Sequence, residues 1–245
     1  MLTSFGGRLV RLMAVRGLTT RTLADLALVA DREIIAAERD GRPAPALLRR
    51  LAPALGLHRS DLFLIADQPV PDDLAPADPD AFGLVRGVIW ELIHVPGAVD
   101  DLHRFIGALP RLPRTAPPRP LPPHLIYPAG PGGRLVRLLH NRNLTWLTAA
   151  YCLFGLGGGP MLSAATIGVI GRGGKQLTPA LLTHFAAFLD IGSRDFTAIT
   201  GIDCADEPPG PAAALLWDAR HLTAGQFEQV KALAGKLRAG RRPAV

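Results

Sequence analysis

Cysteine is scarce in this chain, which has only Cys152 and Cys204 among its 245 residues. Two cysteines cannot build a disulfide framework, and their separation does not match the paired spacing of a zinc site. We therefore expect no metal site and no disulfide scaffold, and a reduced, cytoplasmic compartment is the default. The basic N-terminus, with Arg8 and Arg11 but no long apolar run, does not have the pattern of a signal peptide.

Aromatic residues are also few, at 6% of the chain, whereas alanine, leucine, arginine, proline and glycine are abundant. Strands favour β-branched and aromatic residues, so this composition favours small helical bundles over sheets. The apolar fraction of 48% is ample for compact cores, and a charged fraction of 20% argues against intrinsic disorder. A chain of 245 residues is long enough for two compact domains. We predict an all-α fold.

Charge is missing from residues 143–171, a length that would in principle cross a membrane. However, Gly157 to Pro160 interrupts the middle of this segment, and the segment aligns with soluble helices earlier in the chain. We therefore expect no membrane span and no membrane partner.

The chain also lacks a recognisable catalytic constellation. No nucleophile, base and orienting group occur at an interpretable spacing. Gly155 to Pro160 lacks the third glycine of a dinucleotide fingerprint, and the segment before Lys175 lacks both the first glycine and the following hydroxyl residue of a P-loop. We expect no enzymatic activity and no cofactor.

One seven-residue stretch occurs twice, at Gly6 to Leu12 and at Gly132 to Leu138. Three echoes follow each copy in the same order. They are Pro45–Leu48 with Pro179–Leu182, Ser60–Phe63 with Arg194–Phe196, and Trp90, Glu91 and His94 with Trp217, Asp218 and His221. Ordered matches of this kind indicate an internal duplication. We call residues 1–112 the first repeat and residues 131–245 the second repeat.

The first repeat begins with a succession of short helices and turns. An arginine-containing helix comes first, and the motif segments after it are Leu18–Ala24, Leu28–Ala30, Ile34–Gly41, Leu47–Leu57 and Asp61–Phe63. Together they resemble a Cro/C1-type (XRE-family) helix-turn-helix domain, and the resemblance covers residues 4–66. In such a domain the second helix and the turn position a third, recognition helix in the major groove of DNA.

The resemblance departs from the family pattern in three places. Thr20 stands where a phosphate-contacting glutamine is usual, and Leu28 replaces the turn glycine. Ile35 and Ala36 stand where polar, base-reading side chains are common. The second repeat is more degenerate, because residues 163–171 at its recognition helix carry no charge.

The repeats predict two five-helix units, each followed by a helical hairpin. The segments are residues 1–75 for the first helix-turn-helix unit, 76–112 for the first hairpin, 113–130 for a Pro-rich linker, 131–206 for the second, degenerate unit and 207–245 for the second hairpin and tail. Nine prolines between residues 110 and 131 favour a stiff, extended linker. Trp90 and Trp217 are expected to be core anchors, largely buried against a helix-turn-helix unit.

The resemblance implies a sequence-specific regulator of transcription that binds double-stranded DNA, with one chain supplying both units as an intrachain pseudo-dimer. The net charge is +6, and almost all of the positively charged residues are arginines, which suits a nucleic-acid partner. Such a protein would be cytoplasmic and nucleoid-associated. The residues expected at DNA are Arg8, Arg11, Thr19, Thr20, Arg21, Asp31, Arg32, Ile35, Ala36, Arg39, Arg42, Arg134, Arg137, Thr145, Ser163, Ala164, Arg172 and Lys175.

Two interpretations follow from this set. In the first, Arg32 reads a base, because arginine pairs bidentately with guanine, and the other cations contact phosphates. In the second, the chain is a degenerate helix-turn-helix module without DNA readout, and its apolar hairpin surfaces bind a protein partner or a second copy. Asp31 and Glu33 favour the second interpretation, because they would oppose phosphate approach.

Overall fold

The computed structural model describes residues 4–39, 42–78, 81, 83–113 and 123–240. These residues form fourteen α-helices and a few 3-10 turns with no strand among them, which confirms the predicted all-α class. Within this part of the chain, no helix is long and apolar enough to cross a bilayer. Residues 114–122 of the predicted linker and residues 241–245 of the predicted tail lie outside the described residues.

The first five helices are α1 (Phe5–Val15), α2 (Thr20–Ala27), α3 (Asp31–Glu38), α4 (Pro45–Ala54) and α5 (Arg59–Ile65). Hydroxyl groups cap the first two, since Ser4 accepts from the backbone N–H of Gly7 and Thr19 from that of Thr22. Leu28 ends α2 in the left-handed conformation, with φ of 55°. That conformation is unfavourable for a leucine, so the tight turn into α3 is imposed by the packing of the two helices.

The first hairpin contains α6 (Val85–His94) and α7 (Val99–Ala108). The second repeat contains α8 (Pro131–His140), α9 (Trp146–Gly155), α10 (Ala164–Gly171), α11 (Pro179–Leu189), α12 (Ser193–Thr200), α13 (Ala212–Ala219) and α14 (Ala224–Gly240). The same helix pairs are in contact in both repeats. In each, the first helix packs on the third, the second packs on the third and fourth, and the fourth packs on the fifth.

The two repeats pack on each other through reciprocal helix pairs. α1 packs on α12, and the corresponding helices α8 and α5 also pack together. Likewise α6 packs on α14 and α7 on α13, so the two hairpins form one four-helix bundle. The expected attachment of the first hairpin to its own unit is corrected, because α6 packs on α9 of the second repeat, whereas α13 of the second hairpin packs on α11 of its own unit. Reciprocal contacts are the pattern of an isologous, two-fold interface.

Two corresponding ion pairs hold this interface. Arg16, at the end of α1, binds Asp195 with Nη–Oδ distances of 2.6 and 2.8 Å. Arg142, just after α8, binds Asp61 with distances of 3.1 and 2.8 Å. Both pairs are bidentate, which adds geometric specificity to the contact. The side chains of Arg142 and Asp61 are 0% and 1% exposed, so this pair lies in the centre of the molecule.

Trp90 and Trp217, at corresponding positions of the two repeats, have different environments. Trp217 is half-buried, and its ring stacks on His58 with centroids 3.4 Å apart and planes 9° apart. The guanidinium groups of Arg142 and Arg220 lie 5.0 and 4.5 Å from its centroid. Trp90 is 48% exposed, so the prediction that both tryptophans are buried anchors is wrong for Trp90. The reason is that α6 buries its aliphatic side chains in the bundle and leaves the indole at the edge.

Candidate nucleic-acid interface

The first repeat presents the outer face of α3 to solvent. Leu23 of α2 and Ile34 of α3 are fully buried, and they fix the two helices against the core. Five side chains of the predicted interface are exposed along α3 and its end, namely Asp31, Arg32, Ile35, Ala36 and Arg39. The structure therefore keeps the predicted recognition surface of this repeat open.

The start of α2 lies beside α3. The Thr19 hydroxyl caps α2, and the Thr20 hydroxyl donates to Glu38 Oε1 at 2.9 Å. Thr20 therefore ties α2 to α3, a role different from the phosphate contact of the usual glutamine. Arg21 follows in the first turn and is exposed. A helix start with an exposed cation favours an anionic group such as a phosphate.

Arg50 is a further cation at this surface, and no sequence motif singles it out. Its exposed guanidinium donates to the carbonyl of Leu28, at the turn between α2 and α3, over 2.6 Å. The neighbouring Arg49 points elsewhere and binds Asp73 at 2.6 and 2.7 Å. No sequence signal separates these two adjacent arginines of α4, because only the tertiary packing decides which one reaches the turn. Arg42 is also exposed in the loop before α4.

Arginines of α1 and α8 lie between the repeats, not at a DNA surface. Arg8 and Arg134, at one position of the duplicated stretch, are 1% and 3% exposed. Asp67 accepts from Arg8 Nη2 at 2.8 Å and from Arg134 Nη1 at 3.1 Å, and it also pairs with Arg137. The expectation that these three arginines contact phosphates is therefore corrected: their guanidinium groups bind a carboxylate inside the interface.

Arg11 belongs to the same interface, since its Nε donates to the carbonyl of Ala198 on α12 at 2.7 Å. The sequence pattern showed only that these arginines face away from the core of their own unit, and that face packs on the other repeat. Burial lowers the pKa of Arg134 to about 10, so the group remains charged at neutral pH. No sequence pattern points to Asp67, which follows α5 in a left-handed conformation that Gly201 adopts in the second repeat.

The predicted recognition helix of the second repeat, α10, is partly covered. Ser163 caps it by accepting from the Thr166 backbone N–H at 3.2 Å, and Ala164 is half-buried. The indole of Trp146 lies against Gly168, where a Cβ atom would be 2.7 Å from the ring. Trp146 occupies the position that Thr20 has in the first repeat, so a large ring replaces a small hydroxyl beside the recognition helix.

Residues 123–130, predicted as part of the linker, pack on the second repeat. Tyr127 is 7% exposed, and its hydroxyl accepts from Trp146 Nε1 at 2.6 Å. Burial raises the pKa of Tyr127. A Cβ atom at Gly171 would lie 2.6 Å from the tyrosine ring, so α10 approaches this segment as closely as glycine allows. Tyr127, although it belongs to the predicted linker, therefore packs in the core beside the second repeat.

The remaining predicted residues of the second repeat are open to solvent or cap a helix. Thr145 caps α9 by accepting from the Thr148 backbone N–H at 3.0 Å. Arg172 is exposed, with its guanidinium 5.4 Å from the Trp146 ring centroid, and Lys175 is exposed in the following loop. The second repeat thus offers a capped helix start and two cations, but no long polar side chain on the outer face of α10.

Within the described part of the chain, no three histidine, cysteine or acidic side chains gather closely enough to hold a metal ion. Comparison of the chain with protein-family models, curated proteins and solved structures gives no match. The functional interpretation therefore depends on the residues themselves.

Proposed function

We propose that the protein is a sequence-specific, double-stranded-DNA-binding regulator of transcription, built from two Cro/C1-like helix-turn-helix units that act as an intrachain pseudo-dimer. The observation that carries the proposal is the open outer face of α3, where Arg32 and Arg39 are exposed and Arg50 binds the preceding turn. A capped helix, a tight turn and an exposed helix form the arrangement that enters a major groove. The reciprocal packing of the repeats supports the pseudo-dimer.

The exposed residues of α3 indicate what the first repeat would read. Arg32 has the bidentate donors that pair with guanine, and Asp31 accepts from the amino group of cytosine. Ile35 and Ala36 are apolar and suit the methyl group of thymine. Glu33 is held in place at the start of the helix, where its carboxylate accepts from the Ala30 backbone N–H at 3.1 Å. We therefore expect a half-site that combines a G·C pair with thymine.

Phosphate contacts would come from cations that the structure leaves exposed. In the first repeat these are Arg21, Arg42 and Arg50, and in the second repeat Arg172 and Lys175. Each neutralised phosphate releases counterions, so three to five such contacts give a slope of log K against log salt of about −2.7 to −4.5. These contacts position the protein without specifying sequence.

Selection of bound duplexes from a random pool, using the full chain, tests the proposal. We expect enrichment of one strongly specified half-site that contains guanine and thymine, with a weakly specified region beside it. Anisotropy titrations of the selected duplex at several salt concentrations should give the steep slope above. Arg104→Ala is a matched control, because Arg104 is exposed on α7 and pairs with Asp101 on its own helix. Absence of enrichment together with absence of binding at low salt would contradict the proposal.

A protein-interaction module is the second candidate, and the apolar surface beside α3 favours it. Leu28 and Leu26 are 81% and 57% exposed, and Ile35 is 36% exposed. Neighbouring exposed apolar side chains mark partner surfaces when they form a patch. If the chain is such a module, Leu28→Ser should abolish an oligomer or complex seen by sedimentation while no duplex binds. The DNA-binding proposal predicts an unchanged sedimentation coefficient for this variant.

A further inference from the structure

A cavity of about 350 Å³ lies where α6 meets α9 and α14. Its lining residues are Arg86, Gly87, Trp90, Glu91, Tyr151 and Lys231. We call it the aromatic cavity. Its volume is at the lower end of the range for sites that bind one small organic molecule. The DNA-binding proposal uses none of its residues, so it needs a separate explanation.

The indole of Trp90 offers a flat, accessible ring to this cavity. It is 48% exposed, although aromatic side chains are usually covered because they bring large apolar areas. Tyr151 meets it edge-on at 6.5 Å, and His94 is tilted by 45° at 4.4 Å. Neither ring lies parallel to the indole. The geometry therefore leaves room for a planar group stacked on Trp90.

The carboxylate of Glu91 also lines the cavity, and one of its oxygens lacks a hydrogen-bond donor within the described part of the chain. Glu91 Oε1 lies 3.5 Å from Arg238 Nη1, whereas Oε2 is buried and receives no hydrogen bond from the described residues. A buried acceptor without a donor is costly and uncommon in folded proteins. Because Oε2 is buried, a rotation of the Glu91 carboxylate that brings it to an N–H group of a ligand in the cavity would remove this cost. The acceptor therefore selects a donor-bearing ligand over a purely apolar one.

Trp217 stands at the position of Trp90 in the second repeat, and there a side chain of the protein itself stacks on the indole. The imidazole of His58 stacks on Trp217 with centroids 3.4 Å apart, and its Nε2 lies 2.9 Å from Asp190 Oδ2. The guanidinium of Arg220 lies against the same indole, 4.5 Å from its centroid. A planar nitrogen heterocycle, a carboxylate and a cation thus surround Trp217. Trp90 has the carboxylate and cations nearby but no parallel heterocycle from the chain itself.

We propose that the aromatic cavity binds a free purine mononucleotide. The purine would stack on Trp90, as the imidazole of His58 does on Trp217, and an N–H group at its edge would donate to the Glu91 carboxylate after that carboxylate rotates. The phosphate would meet Arg86 and Lys231, two exposed cations at the mouth of the cavity. The volume suits a single nucleotide better than a dinucleotide. This assignment does not depend on the DNA-binding proposal, because it uses other residues and another ligand.

Calorimetric titration of the full chain with adenosine and guanosine monophosphate tests the proposal. We expect one site per chain with a micromolar Kd for at least one of the two. Trp90→Leu should weaken binding about 5- to 150-fold, which corresponds to the known strength of base–aromatic stacking. Glu91→Gln keeps the shape but removes the charge of the acceptor, and should weaken binding about tenfold or more. Arg86→Ala with Lys231→Ala should reduce the preference for the nucleotide over the unphosphorylated nucleoside.

Trp146→Phe is the matched control, because Trp146 is an aromatic residue outside the cavity, and it should leave the Kd unchanged. Circular dichroism melting of each variant separates loss of the site from loss of the fold, and the exposed position of Trp90 predicts a folded Trp90→Leu protein. The proposal is overturned if neither mononucleotide binds at millimolar concentration. It is also overturned if only an oligonucleotide binds, or if the folded Trp90→Leu and Glu91→Gln variants bind as tightly as the wild type.

Discussion

At the residue scale, Asp67 faces three guanidinium groups between the repeats. It binds Arg8, Arg134 and Arg137, and the first two are almost completely buried. Burial lowers the pKa of all three arginines, while the carboxylate raises it, so the pairs compensate part of the desolvation. Removing the carboxylate from a buried ion pair is strongly destabilising, because the guanidinium is left charged and without water. An exposed guanidinium that loses its partner is solvated by water, so the loss costs much less.

We therefore predict that Asp67→Ala lowers the free energy of unfolding by about 3 kcal/mol, near the lower end for broken buried ion pairs because Asp67 is partly exposed. Urea denaturation followed by circular dichroism measures the change. Asp73→Ala is the control, since its pair with Arg49 is largely exposed and should contribute less than about 1 kcal/mol. Equal effects of the two substitutions would contradict the role assigned to Asp67.

Two histidines give the stability a predictable pH dependence. Burial lowers the pKa of His140 and of His221 from 6.5 to about 4 in the folded protein. As pH falls from about 6.5 towards 4, the unfolded chain therefore binds protons that the folded chain does not, and stability decreases. Above that window both states are neutral at these sites and stability does not change through them.

The expected decrease is at most about 1.4 kcal/mol per pH unit for His140, and less for His221, which is more open to solvent. Urea midpoints between pH 4 and pH 8 measure it. His140→Gln should flatten the profile, because glutamine does not titrate. A profile of the same steepness in the variant would show that other groups cause the acid sensitivity.

At the element scale, α3 and α10 hold the same place in the two repeats but have different surroundings. The outer face of α3 is open, with Arg32 on it, whereas α10 has Trp146 against Gly168 and Tyr127 against Gly171. Small residues on α10 therefore fit the rings that cover it. This explains the uncharged composition of α10 by packing.

Gly168→Ala should be destabilising by about 1–3 kcal/mol, because a Cβ atom 2.7 Å from the indole forces the ring to move. Gly235→Ala is the matched control on α14, where a Cβ atom meets nothing within 4 Å, and it should gain about 0.5–1 kcal/mol from helix propensity. Thermal melting measures both. Adding Trp146→Leu to Gly168→Ala should relieve the clash, and purely additive effects of the two changes would contradict the contact.

The all-α class was predictable from the composition, and helix starts are determined by local interactions. Thr19, Thr145 and Ser163 cap their helices as side-chain acceptors, and each needs only neighbours a few residues away. Helix packing was less predictable, because periodicity shows that a face is buried but not what covers it. Arg8 and Arg134 illustrate this limit, since an arginine suits a carboxylate and a phosphate equally well.

At the scale of the whole molecule, the two repeats pack on each other reciprocally, but the exposed surfaces around α3 and α10 differ. The ion pairs of Arg16 with Asp195 and of Arg142 with Asp61 join the repeats in corresponding ways. The duplication that the sequence repeats indicate would explain this correspondence, because it would copy both partners of each contact. The predicted recognition helices differ in sequence, so we expect one repeat to specify the sequence and the other to add affinity.

The central claim is that α3 of the first repeat reads DNA bases while the second repeat contacts phosphates. Its most direct test is the ratio of Kd values for the selected duplex and a random duplex, measured by anisotropy at one salt concentration for the wild type, Arg32→Ala and Arg172→Ala. Arg32→Ala should lose about 1–3 kcal/mol on the selected duplex alone and so reduce the ratio. Arg172→Ala should weaken both duplexes alike and leave the ratio unchanged. A ratio that is unchanged in Arg32→Ala but reduced in Arg172→Ala, or a wild type that binds neither duplex at low salt, would contradict the claim.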